Sequence, residues 1–295
     1  MNIKIGSLSI HQGSTVFMTI LKLLRPKHWV KNLIIFAPPF FGGSILNSDI
    51  INLSIPAFVS FSFIASAVYI FNDIHDRDLD RNHPEKSERP IASGRISVNS
   101  SFLLSLILLT LSIFISLLLN PSFTFFLFLY LGINILYTLH LKSLPIFDIF
   151  SIASGFMIRV MAGGKVFHVE VSNWLSLSVL FISILLASGK RLNEMNHLKG
   201  NAHLHREVLN EYPDGFLESL LWLMGAASLI SYSIYTIEKG EDLFYTVLLS
   251  AFGLLRYLYI IKTGKGEPVN AIFDDRILFI TILLWIIAIG YLRYN

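Results

Sequence analysis

Nine apolar blocks, each about 17–25 residues long, divide this chain, and that is the length a helix needs to cross a bilayer core. The blocks cover about residues 32–47, 51–73, 99–119, 122–140, 146–163, 173–190, 216–237, 242–262 and 276–293. A chain built this way is expected to be all-α, because lipid leaves no partner for the backbone of an irregular or open-edged segment. The first block is the weakest, since Pro38–Pro39 and Gly42–Gly43 interrupt it. The expected architecture is a single polytopic membrane domain over residues 1–295, a nine-helix bundle.

Composition agrees: 54% of the residues are hydrophobic and 15% charged, against about 25% charged in soluble domains. That excludes a soluble enzyme and a disordered regulator. Cysteine is absent, which excludes a disulfide-stapled domain and thiolate metal sites. The charge of +3 gives no free basic face, so nucleic acid is not an expected partner. No secretory signal peptide is expected either, because residues 1–15 are polar and Val16–Leu24 is short and interrupted by Lys22. Residues 1–31 suit an interfacial segment.

The cations are unevenly placed. With an internal amino terminus, 19 of the 23 Lys and Arg fall on one side of the blocks and three on the other, with Arg159 inside a block. The positive-inside rule puts the rich side in the cytoplasm, so a multi-pass protein of the cell membrane with its chemistry facing the cytoplasm is expected. The same side carries the two longest loops, 74–98 and 191–215.

The strongest chemical signal is Asn72-Asp73-Ile74-His75-Asp76-Arg77-Asp78-Leu79-Asp80. At about 100° per residue, Asp73, Asp76 and Asp80 lie within about 60° of one another on a helix, with Asp78 nearly opposite. Stacked carboxylates repel unless a cation sits among them. Mg2+ takes one or two carboxylates and keeps positions for phosphate oxygens. Asn72, Asp73, Asp76 and Asp80 are therefore candidate metal ligands for a Mg2+–diphosphate. The plain alternative is a solvated helix end paired to Arg77 and Arg81.

Cations appear at two further places. Lys190-Arg191-Leu192-Asn193-Glu194 could grip phosphate, or could be ordinary flanking charge with one ion pair. Arg159 lies about three turns into an apolar helix and must pair or face a polar cavity. Asp148, eleven residues earlier and about 20° away on the wheel, places an acidic group near the cytoplasmic entrance of the same face, the plain alternative being a structural pair of the two. Tyr137 and Lys142 add a phenol and a cation nearby, and Arg25, Lys31 and Asn32 lie in a basic aromatic segment usable as an anchor or a lipid-headgroup clamp. Glu267, Asp274 and Asp275 have no role derivable from sequence. No HExxH, Walker loop, GxSxG or GxGxxG spacing occurs.

Taken together, Leu24–Asn32, Asn72–Asp80, His83-Pro84, Arg89–Gly94, Tyr137 with Leu141-Lys142, Phe156–Gly164, Gly189–Glu194, Gly266-Glu267-Pro268 and Asp275-Arg276 resemble the UbiA-type superfamily of intramembrane prenyltransferases. Within it the resemblance is strongest to decaprenyl-phosphate phosphoribosyltransferases. Leu192 stands where that pattern leads one to expect tyrosine. Aromatic prenyltransferases of the superfamily carry a second acidic motif, DxxxD, where this chain has Lys190–Glu194.

The resemblance implies Mg2+-dependent transfer of 5-phosphoribose from phosphoribosyl pyrophosphate (PRPP) to a decaprenyl-like polyprenyl phosphate, releasing pyrophosphate. Asp73, Asp76, Asp80, Lys190 and Arg191 would be catalytic, and Arg25, Lys31, Asn32, Tyr137, Lys142, Arg159 and Glu194 would bind substrate. The competing readings are a polyprenyl diphosphate-dependent aromatic prenyltransferase and, from another class, a membrane transporter. Acceptor chain length, the downstream pathway and any homo-oligomer are left open.

Overall fold

The computed structural model describes residues 17–84, 86–197, 207–263 and 274–295. Among these residues there is no strand. The long helices are α1 (Ser48–His75), α2 (Val98–Leu119), α3 (Pro121–Leu139), α4 (Phe147–Val166), α5 (Asn173–His197), α6 (Phe216–Lys239), α7 (Thr246–Lys262) and α8 (Arg276–Tyr294). All eight are long and apolar enough to cross a membrane, α7 when counted from Asp242 through the preceding 3₁₀ turn. The expected first span is the exception. It folds as a 3₁₀ helix, Pro26–Phe36, followed by a short α-helix, Ala37–Phe41. Gly42 ends that helix, and Gly43 takes a left-handed φ of 74°.

The described residues form two compact units. The first comprises those up to Leu33 together with Leu53–Leu131. Here α1 and α2 meet through serines: Ser60 Oγ donates to the Ser112 carbonyl at 2.9 Å, and Ser112 Oγ returns a bond to the Ser60 carbonyl at 2.7 Å. Lipid is as apolar as leucine, so small residues and hydrogen bonds hold such helices together in place of the hydrophobic effect. Phe61 lies between Phe123 and Tyr130. The 3₁₀ segment docks on α1 by polar contacts, Trp29 Nε1 to Ser66 Oγ at 3.0 Å and Asn32 Nδ2 to Ser62 Oγ at 3.1 Å. The outer face of α2 leaves Leu103, Ile107, Phe114 and Leu118 exposed, as a lipid-facing helix should.

The second unit comprises Ile34–Asn52 and the described residues from Gly132 onward. Its core joins Ile149 and Ala153 of α4, Ile184 and Leu185 of α5, Leu221 of α6, and Leu258 and Ile261 of α7. Gly163 is required by contact: a Cβ there would come within 1.9 Å of the Ile35 carbonyl oxygen. Tyr232 hydroxyl meets Thr246 Oγ1 at 2.6 Å and accepts from Trp285 Nε1 at 3.1 Å, joining α6, α7 and α8.

The loop expected to start at residue 191 begins later. Helix α5 runs on to His197 because Lys190, Arg191 and Glu194 are good helix formers with no breaker among them.

Candidate functional site

Helix α1 ends at His75, yet the helical turn carries on. The Asp76 amide donates to the Asn72 carbonyl at 2.9 Å, and the Asp80 amide to the Asp76 carbonyl at 2.8 Å, leading into a short helix, Arg77–Arg81. Asp73 and Asp80 therefore stay on one face and both are buried, 2% and 4% exposed. Arg89, from the loop after the short helix, donates through Nη1 to Asp73 Oδ1 at 3.0 Å and to Asp80 Oδ2 at 2.6 Å. Arg25 Nη2 lies 2.5 and 2.8 Å from the two Asp73 oxygens. Its backbone sits at φ 53°, sparse territory for a residue with a Cβ, and its guanidinium lies over the Tyr69 ring at 5.3 Å.

Asp76 is turned to other partners, Asn72 Nδ2 at 3.2 Å and His75 Nδ1 at 2.9 Å. Asp78 is 80% exposed and takes Arg77 and Arg81, so the solvated pairing envisaged for the whole cluster belongs to that residue alone. The four expected metal ligands thus do not converge: among the described residues no group of three Asp, Glu or His is gathered closely enough to hold a metal ion. What does converge is the pair Asp73 and Asp80, on one nitrogen. Two carboxylates suit Mg2+, which leaves its remaining positions to water and phosphate oxygens.

The second group of charges lies in the other unit. Asp148, in the first turn of α4, is fully buried. Its Oδ2 accepts from Arg191 Nε at 2.6 Å, and its Oδ1 accepts from the Tyr212 hydroxyl at 2.5 Å. Arg191 is itself 1% exposed; Nη1 donates to Glu194 Oε2 at 3.0 Å and Nη2 to the Tyr137 hydroxyl at 3.4 Å. Lys190 Nζ lies 3.9 Å from Glu194 Oε1 with its side chain 43% exposed. The Tyr212 hydroxyl also accepts the Ile146 amide at 2.7 Å. Ile146 is the centre of a γ-turn, φ 69°, closed by the Phe147 amide on the Pro145 carbonyl at 2.8 Å. That turn is rare and strained, above all for a β-branched residue. Burial, with the hydrogen bond given to Asp148, pushes the Tyr212 phenol above the ordinary tyrosine value.

The plain alternative, a structural pair of Asp148 with Arg159, is not found. Asp148 is taken by Arg191 and Tyr212, which reach it from other elements. Arg159, 4% exposed, donates through Nη1 to the Gly155 carbonyl at 2.8 Å, with its guanidinium 5.6 Å from the centre of the Phe156 ring. Lys142 sits half-buried in a 3₁₀ turn, Leu141–Ser143. Asn32 is fully buried on Ser62, while Lys31 beside it is partly exposed.

Sequence reasoning gave Arg89 and Tyr212 no role, because nothing in their local spacing marks a partner. Asp275 acquires a function: its Oδ1 caps α8 by accepting the Leu278 amide at 2.8 Å, and Arg256 holds both its oxygens at 3.2 and 2.7 Å. Glu267 lies outside the described residues.

Comparison with known proteins bears directly on this chain. Its sequence is 34% identical over 285 residues to the decaprenyl-phosphate phosphoribosyltransferase of Corynebacterium glutamicum, covering 92% of this chain and 85% of that protein. It is 31% identical over 293 residues to the protein of the same name from Mycolicibacterium smegmatis, covering 93% and 92%. The fold matches a UbiA homologue of Archaeoglobus fulgidus solved with GPP and Mg2+, at a TM-score of 0.74 and 23% identity over 94% of this chain and 99% of that one. Residues 35–283 match the model of the UbiA prenyltransferase family. With a buried aspartate pair at the end of one span, a basic end on another, and this match across most of its length, the chain belongs to the UbiA prenyltransferase family.

Proposed function

We propose that this membrane protein transfers 5-phosphoribose from PRPP to a polyprenyl phosphate, releasing pyrophosphate, with Mg2+ as cofactor and the chemistry on the cytoplasmic side of the cell membrane. One observation carries the choice of donor. The chain has an acidic pair at Asp73 and Asp80, and it has Lys190 and Arg191 where aromatic prenyltransferases of the family would repeat the acid. PRPP has a diphosphate at C1 and a second phosphate at C5. A carboxylate–metal site answers the first and a cation answers the second. A prenyl diphosphate has only the one phosphorylated end. The names of the relatives from Corynebacterium and Mycolicibacterium support the same reading.

Asp73 and Asp80 are the residues that would hold Mg2+, with Asp76 and Asn72 next to them. The ion would neutralise charge that develops on the departing pyrophosphate. Arg89 aligns the two carboxylates and Arg25 braces Asp73, and both arginines can also turn to phosphate oxygens. Lys190, exposed in the last turns of α5, is the cation for the C5 phosphate, with Lys142 a second candidate for the same role. Arg159 is the candidate for the acceptor phosphate and Lys31 for guiding the lipid headgroup. In the reaction the C1–oxygen bond to pyrophosphate breaks, and an oxygen of the lipid phosphate bonds to C1 in its place. The acceptor is already an anion, so no side chain need take its proton.

The test is direct. Purified protein is incubated with labelled PRPP, Mg2+ and polyprenyl phosphates of several lengths. Equal yields of pyrophosphate and a lipid-linked sugar phosphate are expected. Turnover of a prenyl diphosphate with 4-hydroxybenzoate, and none with PRPP, would overturn the proposal.

A further inference from the structure

Of the two adjacent cations at the end of α5, only one faces outward. Three nitrogens of Arg191 are spent on Asp148, Glu194 and Tyr137, and the side chain is 1% exposed. A guanidinium carries five N–H groups in a fixed fork; three are engaged here, and the burial of the side chain leaves the other two no surface to offer a phosphate. Lys190 keeps 43% of its side chain exposed and touches the network only through Glu194, at 3.9 Å. Hydrogen bonds and one ion pair therefore form a chain: Tyr212 and Arg191 hold Asp148, Arg191 holds Glu194, and Glu194 restrains Lys190. The far end is anchored to the backbone by the Tyr212 hydroxyl on the strained Ile146 turn.

We infer that Asp148, Tyr212 and Arg191 are positioning residues that set the Lys190 ammonium, and that Arg191 is not itself a phosphate ligand. Asp148 has no exposed surface and cannot touch a substrate. A lysine side chain on its own has four flexible bonds and loses rotamer entropy when a ligand fixes it. Partial restraint by Glu194 lowers that cost before the ligand arrives. Tyr212 has a second effect. It ties the segment around Tyr212 to the start of α4, where Asp148 receives Arg191.

The inference rests on the reading that Lys190 meets a phosphate of PRPP, and two readouts keep the two claims separate. The first needs no substrate. The intact protein is pulsed with acetic anhydride, and acetylation of Lys190 is followed by mass spectrometry against exposed Lys27 as reference. Tyr212→Phe and Asp148→Asn should change the relative rate at Lys190 by about threefold or more, since a freed ammonium samples other surroundings. An unchanged rate in both variants overturns the inference.

The second readout is steady-state kinetics with PRPP. Each of these two variants should raise the KM for PRPP about 10-fold with kcat within about twofold. In a Lys190→Gln background the same substitutions should add less than about twofold, because residues acting through one group are not additive. The same fold-increase in both backgrounds overturns the inference and leaves only a folding role. Tyr212→Phe preserves the Asp148–Arg191 pair, so it remains informative if Asp148→Asn fails to fold. Altered labelling together with no PRPP turnover by the unsubstituted protein would uphold the positioning chain and reject PRPP as donor.

Discussion

Asp73 and Asp80, two helical turns apart, share a single guanidinium nitrogen, Nη1 of Arg89, at 3.0 and 2.6 Å. Arg89 is thus the counter-ion for the very carboxylates that would hold Mg2+. Removing it leaves Asp80 without this partner, while Asp73 keeps Arg25. Arg89→Gln should destabilise the protein by about 1–3 kcal/mol, the cost of leaving a buried acceptor unsatisfied. Added Mg2+ should recover more stability in this variant than in the parent, because the ion no longer competes with the arginine. Thermal unfolding in detergent with and without Mg2+ measures both effects, and an equal Mg2+ response in the two proteins would sink the assignment of that pair. Asp73→Asn should abolish Mg2+-dependent PRPP turnover.

Two glycines should respond in opposite senses to alanine. At Gly163 the new Cβ would sit 1.9 Å from the Ile35 carbonyl oxygen and 2.8 Å from its carbon, and backbone cannot swing aside as a side chain can. Gly163→Ala should cost about 1–3 kcal/mol or more, as overfilled sites do. At Gly132, in the middle of α3, nothing lies within 4 Å of the added methyl. Gly132→Ala should be neutral or gain up to about 1 kcal/mol from helix propensity. Parallel melting curves decide it, and a Gly163→Ala protein as stable as Gly132→Ala would overturn the close approach at Ile35.

Much of this arrangement was legible in the sequence, and the reasons for the failures are physical. Block length located the eight long helices, because lipid permits little else, and Pro38–Pro39 with Gly42–Gly43 marked where a continuous helix gives way. The spacing of Asp73 and Asp80 put them on one face, since that depends only on helical pitch. Asp148 and Arg159 share one face of a helix, yet they do not pair. A helical wheel ranks neighbours on the same helix, whereas Asp148 is claimed by Arg191, 43 residues on, and Tyr212, 64 residues on. Partners of that kind are set by how helices and loops meet, and no local period records them. Arg89 and Tyr212 went unassigned for the same reason.

The clamp of Arg256 on Asp275 predicts a pH dependence. Hydrogen bonds from Arg256, then from the Leu278 amide, hold the Asp275 carboxyl below its ordinary value of 3.8. A depressed folded-state pKa contributes stability that is present above the unfolded value and is lost as pH falls through the folded one. Arg256→Gln should therefore melt below the parent at neutral pH, and the gap should close as pH drops through and beneath about 4. Both side chains lie near the surface, so salt should narrow the gap too. A gap that stays constant down to acid pH would show that Arg256 acts through its contact with Tyr259 instead.

Arg159 offers the sharpest separation of binding from folding. A charge inside an apolar span costs about 2.5–3.5 kcal/mol on insertion scales. The hydrogen bond to Gly155 lies within its own helix, one turn back. Arg159→Met removes the charge and that bond together, and thermal unfolding measures the balance of the two. If Arg159 receives the acceptor phosphate, the same variant should raise the KM for polyprenyl phosphate about 10-fold or more and leave the KM for PRPP within about twofold. Arg159→Lys should recover part of the loss, since it restores the charge but not the two-pronged contact. Loss of stability with both KM values unchanged would make Arg159 a structural residue and move the search for the acceptor-phosphate cation to Lys142 and Lys31.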